Sequence, residues 1–360
     1  MNPELKENAG RGKRGRETGK GKRERETGKG KRGRETGKGK RGRETGREKG
    51  EKEEDFDVVL VGDVFYDIAT TPLRDYPERD KQLGCGFMLS VGGQAGNCAA
   101  ACASLGLRTA LVCKTGGGVL SKWVTAELQK LGVRCFAGQE RSESRREVGI
   151  TVSVAFEDGS RSMLTERGAN LELTAADLDF ELLKRTRFLG RAGHWNTEGL
   201  FTANKKILEF AKSAGACTGV DLGWSAYLGW TASARETVFE FLPFTDFLFV
   251  NEAEVKGLSG KAEGGEAGGG EAGGGGGERE LLERGCGNVI IHRGAKGSSW
   301  VSRDFEVSCP AFKVQPRRPT GAGDVFNAGF IYAFLAGKQA KECLRFANSC
   351  AARHLTGTFF

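Results

Sequence analysis

Proline is scarce in this 360-residue chain, at 7, and histidine and methionine are scarcer still, at 3 each. The three histidines, His194, His292 and His354, show no ligand spacing, and none of the 10 cysteines forms a Cys-x-x-Cys pair. That pattern speaks against a zinc site, and scattered thiols fit a reducing, cytoplasmic setting better than a disulfide framework. Cys98 and Cys102, four apart in an alanine-rich stretch, suit a closely packed helix. No apolar run reaches membrane-spanning length, since the 241–250 stretch is short and contains Pro243 and Asp246. No signal-peptide apolar segment opens the chain, so no membrane partner is expected. The body also lacks a charge excess. The net +8 lies wholly in residues 1–56, with 20 Lys/Arg against 12 Asp/Glu, whereas residues 57–360 hold 35 of each. A basic nucleic-acid-binding body is thereby disfavoured.

Glycine is abundant instead, at 56. Residues 11–47 repeat with period nine, Glu-Thr recurring at Glu17, Glu26, Glu35 and Glu44, with no aromatic or large aliphatic residue between Lys6 and Lys52. Such a segment cannot offset its ordering entropy, so 1–56 reads as a disordered basic repeat tail. Nucleic acid is expected to be met only through this tail; a merely solvated arm explains it as well. A second tract, 256–280, carries 12 glycines and reads as an exposed, mobile insertion.

Residues 57–360 read as one α/β domain. Short apolar strands are expected at 57–62, 109–113, 188–190, 217–222, 247–250 and 288–291. Helices are expected at 97–105, 119–131, 204–213, 235–242, 280–284, 322–336 and 339–354. Alternation of this kind means a mostly parallel sheet covered on both faces. Segments 149–156 and 160–165 flank Asp158-Gly159, a strong hairpin signal, and read as an antiparallel flap. Ligands of such folds gather beyond the carboxyl ends of the strands.

The sharpest local feature is Thr320-Gly-Ala-Gly-Asp324, leading into a helix. First-turn amides there can hold a phosphoryl group's charge, and Asp324 can deprotonate a hydroxyl. A capped helix behind a tight turn explains the same residues. A second small-residue turn, Gly92-Gly-Gln-Ala-Gly-Asn97, lets backbone approach a ligand, and Asn97 can both donate to and accept from a polyol. Asn251 and Glu254 lie one helical turn apart; they read as a capping box or as holders of hydrated magnesium and phosphate.

In this order and spacing the three motifs resemble the ribokinase-like (PfkB) family of carbohydrate and nucleoside kinases, over about residues 57–354. The resemblance implies a three-layer α/β/α fold with a mostly parallel central sheet and a small β lid at about 149–165. It implies ATP-dependent phosphorylation of a sugar hydroxyl. In that scheme Asp324 is the base and Gly321, Ala322 and Gly323 supply the anion hole. Asp67, Gly93, Asn97 and Asn170 would bind substrate. Asn251, Glu254, Gly294, Gly297 and Asn348 would lie near the nucleotide, with Mg²⁺ placed indirectly by Asn251 and Glu254. A nucleoside acceptor, or a catalytically silent sugar-binding relative, are the alternatives. The resemblance also allows a homodimer through the lid. Arg318 stands where the family often has an Asp of a monovalent-cation loop, which argues against a K⁺ site. The family usually continues past the point where this chain stops at Phe360, so a shortened carboxyl end with exposed apolar surface is expected.

Overall fold

The computed structural model describes residues 55–137, 146–223, 229–260, 276–317 and 320–359. The repeat tail, most of the glycine-rich tract and Arg318 lie outside these residues. In chain order the strands are β1 (Phe56–Gly62), β2 (Phe65–Thr70), β3 (Phe87–Gly92), β4 (Thr109–Cys113), β5 (Val133–Ala137), β6 (Gly149–Ala155), β7 (Arg161–Glu166), β8 (Thr186–Ala192), β9 (Cys217–Asp221), β10 (Phe247–Asn251), β11 (Asn288–His292), β12 (Ser298–Val301) and β13 (Glu306–Cys309). The helices are α1 (Gln94–Ser104), α2 (Val119–Lys130), α3 (Phe180–Leu183), α4 (Asn204–Ser213), α5 (Ala232–Phe239), α6 (Glu252–Leu258), α7 (Gly276–Glu283), α8 (Ala322–Leu335) and α9 (Ala340–Leu355).

Alternate residues of β1 explain the layering. Val58 and Leu60 pack with Ala99 of α1, Val124 of α2, Phe330 of α8 and Leu344 of α9. Val59 and Val61 pack with Leu182 of α3, Ile207 of α4, Val238 of α5, Val255 of α6 and Leu281 of α7. A strand apolar on both faces must be buried on both, so the sheet lies between two helical layers. Its order is β13-β12-β11-β10-β9-β8-β1-β4-β5. The seven strands from β5 to β11 pair in parallel, and β12 and β13 add antiparallel at one edge.

A separate sheet, ordered β3-β2-β6-β7, forms the lid. The hairpin expected from Asp158-Gly159 is present as β6 and β7. The lid is larger than that hairpin, because β2 pairs in parallel with β6 and antiparallel with β3. Neither added strand shows clean alternation: β2 carries Asp67 in its middle, and Phe87 to Ser90 of β3 are all exposed. Among the described residues, no helix is long and apolar enough to cross a membrane.

Candidate active site

The carboxyl ends of parallel strands set the site. Asp63 follows β1 directly, Asp221 ends β9, Asn251 ends β10 and His292 ends β11. Helices α1 and α8 begin beside them, each behind a glycine at positive φ: Gly93 at 85° and Gly321 at 81°. A side chain at either position would be strained, and a Cβ on Gly321 would stand 3.2 Å from Asn97 Nδ2. Among the described residues, nothing accepts from the amides of Ala322, Gly323 or Asp324, so the first turn of α8 keeps its donors.

Asp324 is 8% exposed and accepts a 2.8 Å hydrogen bond at Oδ2 from Asn97 Nδ2. Burial first, then the Asp221 carboxylate, hold its carboxyl well above the ordinary range; Asn97 opposes this, and Asp63 and Asp67 add to it. One turn away on each helix a second rung forms. Gln94 donates to Asp221 Oδ1 at 2.9 Å, and Asn327 donates to Asp221 Oδ2 at 2.6 Å. Burial pushes the Asp221 carboxyl up to about 6. His292 completes the chain, its Nε2 donating to Asn327 Oδ1 at 2.9 Å; burial lowers this ring to about 4, so it stays neutral.

Asp67 enters from the lid strand β2. Its Oδ1 is buried and has no hydrogen-bond partner among the described residues. Burial, then the neighbouring Asp63, raise its carboxyl to about 7. A Cβ at Gly92 would fall 2.1 Å from this carboxyl, so only glycine admits it there. Asp63 itself is spent on structure, accepting from Ala95 N at 3.1 Å and Asn196 Nδ2 at 2.7 Å; it thereby ties the start of α1 to β1.

Asn170 is fully buried and engages Val64 at both ends. It accepts from the Val64 amide at 3.0 Å and donates to the Val64 carbonyl at 2.9 Å. Asn251 and Glu254 form a reciprocal capping box, each side chain bonding the other's amide at 2.9 Å. Burial, then Asp221, raise the Glu254 carboxyl to about 7. Gly294 and Gly297 bound the turn between β11 and β12. A Cβ at Gly297 would meet the Cys309 carbonyl at 2.0 Å. Asn348 of α9 donates to that same carbonyl and to the Pro310 carbonyl, both at 3.2 Å, so it braces the backbone beside Gly297. His194 packs flat on Phe201 at 4.5 Å within the core, remote from solvent.

The sequence reading singled out neither Asp63, Gln94, Asn327 nor Arg161 of the lid. Arg161 Nη1 donates to Thr320 Oγ1 at 3.0 Å, one residue before the glycine that opens α8. The position of Asp63 right after the Gly62 that ends β1 was the one available signal. The other three are marked by contacts across more than 100 residues.

Residues 55–357 match pfkB family carbohydrate kinase. A deoxyribokinase of Salmonella typhi is 25% identical over 303 residues, spanning 84% of this chain and 93% of that protein. Fructokinase-1 of Zea mays is 27% identical over 282 residues, spanning 74% of this chain and 82% of its own. Arabidopsis thaliana ribokinase, solved with ribose and ATP, superposes with a TM-score of 0.65 at 22% identity, covering 84% of this chain and 93% of that one. With the matched region taking in both sheets and both glycine-led helices, this chain belongs to the pfkB family of carbohydrate kinases.

Proposed function

We propose that the protein transfers the γ-phosphoryl group of ATP to a hydroxyl of a sugar, with Asp324 as general base. The observation that carries this reading is a buried carboxylate set among three unspent amides in one helical turn. The sugar oxygen forms a bond to phosphorus as the bond to ADP breaks, and Asp324 takes the hydroxyl proton. Amides of Ala322, Gly323 and Asp324, led by Gly321, hold charge on the phosphoryl oxygens. A carboxyl raised by burial is a stronger base than one in water, which suits proton removal near neutral pH.

The unpartnered Asp67 Oδ1 accepts a sugar hydroxyl, since a buried acceptor without a donor is costly until a ligand supplies one. Gly93 lets the sugar approach main chain, and Asn97 orients both the sugar and Asp324. Asn170 acts here by fixing Val64 between Asp63 and the lid. The Gly294–Gly297 turn and Asn348 shape the nucleotide side.

Asn251 and Glu254 fit magnesium only at second hand. Asn251 Oδ1 and Glu254 Oε2 are used in the capping box, which leaves Glu254 Oε1 for a hydrated ion. No group of three metal-binding side chains occurs among the described residues. When bound with ATP, Mg²⁺ neutralises phosphate charge. Likeness to a ribokinase solved with ribose and ATP supports ATP as donor, and the deoxyribokinase and fructokinase relatives support a sugar as acceptor.

The test is ADP release over a panel of pentoses, hexoses and nucleosides with Mg²⁺, with and without K⁺. Release with a free sugar is expected. Release with nucleosides alone would move the acceptor to that class, and none with either would overturn the reading.

A further inference from the structure

We infer that His354 is a positioning residue for phosphoryl transfer: by holding the Thr320 carbonyl, it aims the Gly321 amide at the anion hole. This rests on the phosphotransfer reading above. His354 lies in the last turn of α9, and its Nε2 donates to the Thr320 carbonyl oxygen at 2.7 Å. A carbonyl oxygen only accepts, so Nε2 carries a proton in this contact. A second bond ties the same turn to the same stretch of chain, the Arg317 amide donating to the Leu355 carbonyl at 2.7 Å. The segment that leads into α8 is thus held, at Arg317 and at Thr320, by successive residues of one helix.

The next peptide carries the effect. In a trans peptide the carbonyl and the following N–H point to opposite sides, and no cis bond occurs among the described residues. A Thr320 carbonyl drawn toward α9 therefore turns the Gly321 N–H away from α9, and among the described residues nothing accepts from that amide. It adds a fourth donor ahead of the amides of Ala322, Gly323 and Asp324. This peptide needs holding. Gly321 sits at φ 81°, and glycine takes either sign of φ at little cost, so nothing steric stops the Thr320–Gly321 plane from turning over. The Thr320 hydroxyl is bonded to Arg161 of the lid at 3.0 Å, but a side-chain bond leaves the rotation between Cα and the carbonyl carbon free. His354 works instead from a fixed base. Helix α9 lies so close to α8 that a Cβ on Gly329 of α8 would stand 3.0 Å from Ala347 Cα, and Cys343, Leu344, Ala347 and Cys350 of α9 are buried. The imidazole also backs the turn itself, its Nε2 standing 3.5 Å from where a Cβ on Gly321 would lie. His354 gives up no proton in the step. The hydroxyl proton goes to Asp324, one O–P bond forms and one breaks, and His354 supplies geometry alone.

His354→Leu, His354→Asn and His354→Gln test this in the full chain. Glutamine can bring an amide N–H to the place of Nε2, asparagine reaches only as far as Nδ1, and leucine has no donor. The expected result for His354→Leu and His354→Asn is a kcat lower by about 30-fold or more, with the sugar and MgATP KM within about threefold of wild type. His354→Gln should keep its kcat within about threefold of wild type. A kcat for His354→Leu within about threefold of wild type, or equal losses in His354→Gln and His354→Asn, overturns the inference. Should His354→Leu fail to fold by circular dichroism, the comparison of glutamine with asparagine decides alone. If the wild-type chain turns over no acceptor, the phosphotransfer reading fails, and crystal structures of wild type and His354→Asn decide on His354 separately. A Thr320–Gly321 peptide turned over in the variant supports the inference; an unchanged peptide plane overturns it.

Discussion

Asp324 is buried, and the Asp221 carboxylate makes the negative charge of Asp324 harder to hold. Asp221 keeps its place through Gln94, Asn327 and the Gly223 amide, so its charge is oriented by three donors while it presses on Asp324. The sign of the effect follows. Removing the Asp221 charge eases ionisation of Asp324 and lowers its pKa. The Asp221→Asn variant should therefore move the acid limb of the kcat/KM profile to lower pH, read from initial rates across pH. A limb that stays in place would contradict this coupling. At this scale the two glycine motifs were legible, because positive φ and an acid beside free amides are written in the local sequence. Gln94, Asn327 and Arg161 were not legible. Their roles come from partners on other elements, and any surface or helical position accepts such side chains.

Between the elements, the junction of lid and body is held by Asn170, which stitches the single 3-10 turn at Gly168–Glu172, of which it is part, to Val64, between β1 and β2. Deleting that amide strands a buried N–H and a buried carbonyl together. Asn170→Ala should cost about 2–4 kcal/mol in urea unfolding, with the sugar KM of the remaining folded enzyme little changed. Unchanged stability with a raised sugar KM would instead give Asn170 a direct contact with substrate. The central strands β1, β4, β9, β10 and β11 were legible as mostly apolar runs, since burial on both faces favours apolar side chains. The edge strands β12 and β13 were not, being four residues each and, in β12, opening on Ser298-Ser299. β2 was not legible because Asp67, with a buried and unpartnered Oδ1, interrupts its apolar pattern.

For the molecule as a whole, one doubly covered sheet gathers Asp63, Asp221, Asn251 and His292 at its carboxyl edge, and the small sheet brings Asp67 and Arg161 to the same place. The three-layer architecture was legible because strand–helix alternation runs the length of the body. The extent of the lid was not, because half of it comes from residues 65–92, next to a segment that reads as a ligand turn. The proposed phosphoryl transfer depends most directly on Asp324. Its test is Asp324→Asn, with folding verified by circular dichroism and with sugar and MgATP affinities measured by calorimetry. Binding within about threefold of wild type with turnover lower by about 1,000-fold or more is the expected result. Turnover within about tenfold of wild type would contradict the assignment of Asp324 as the base.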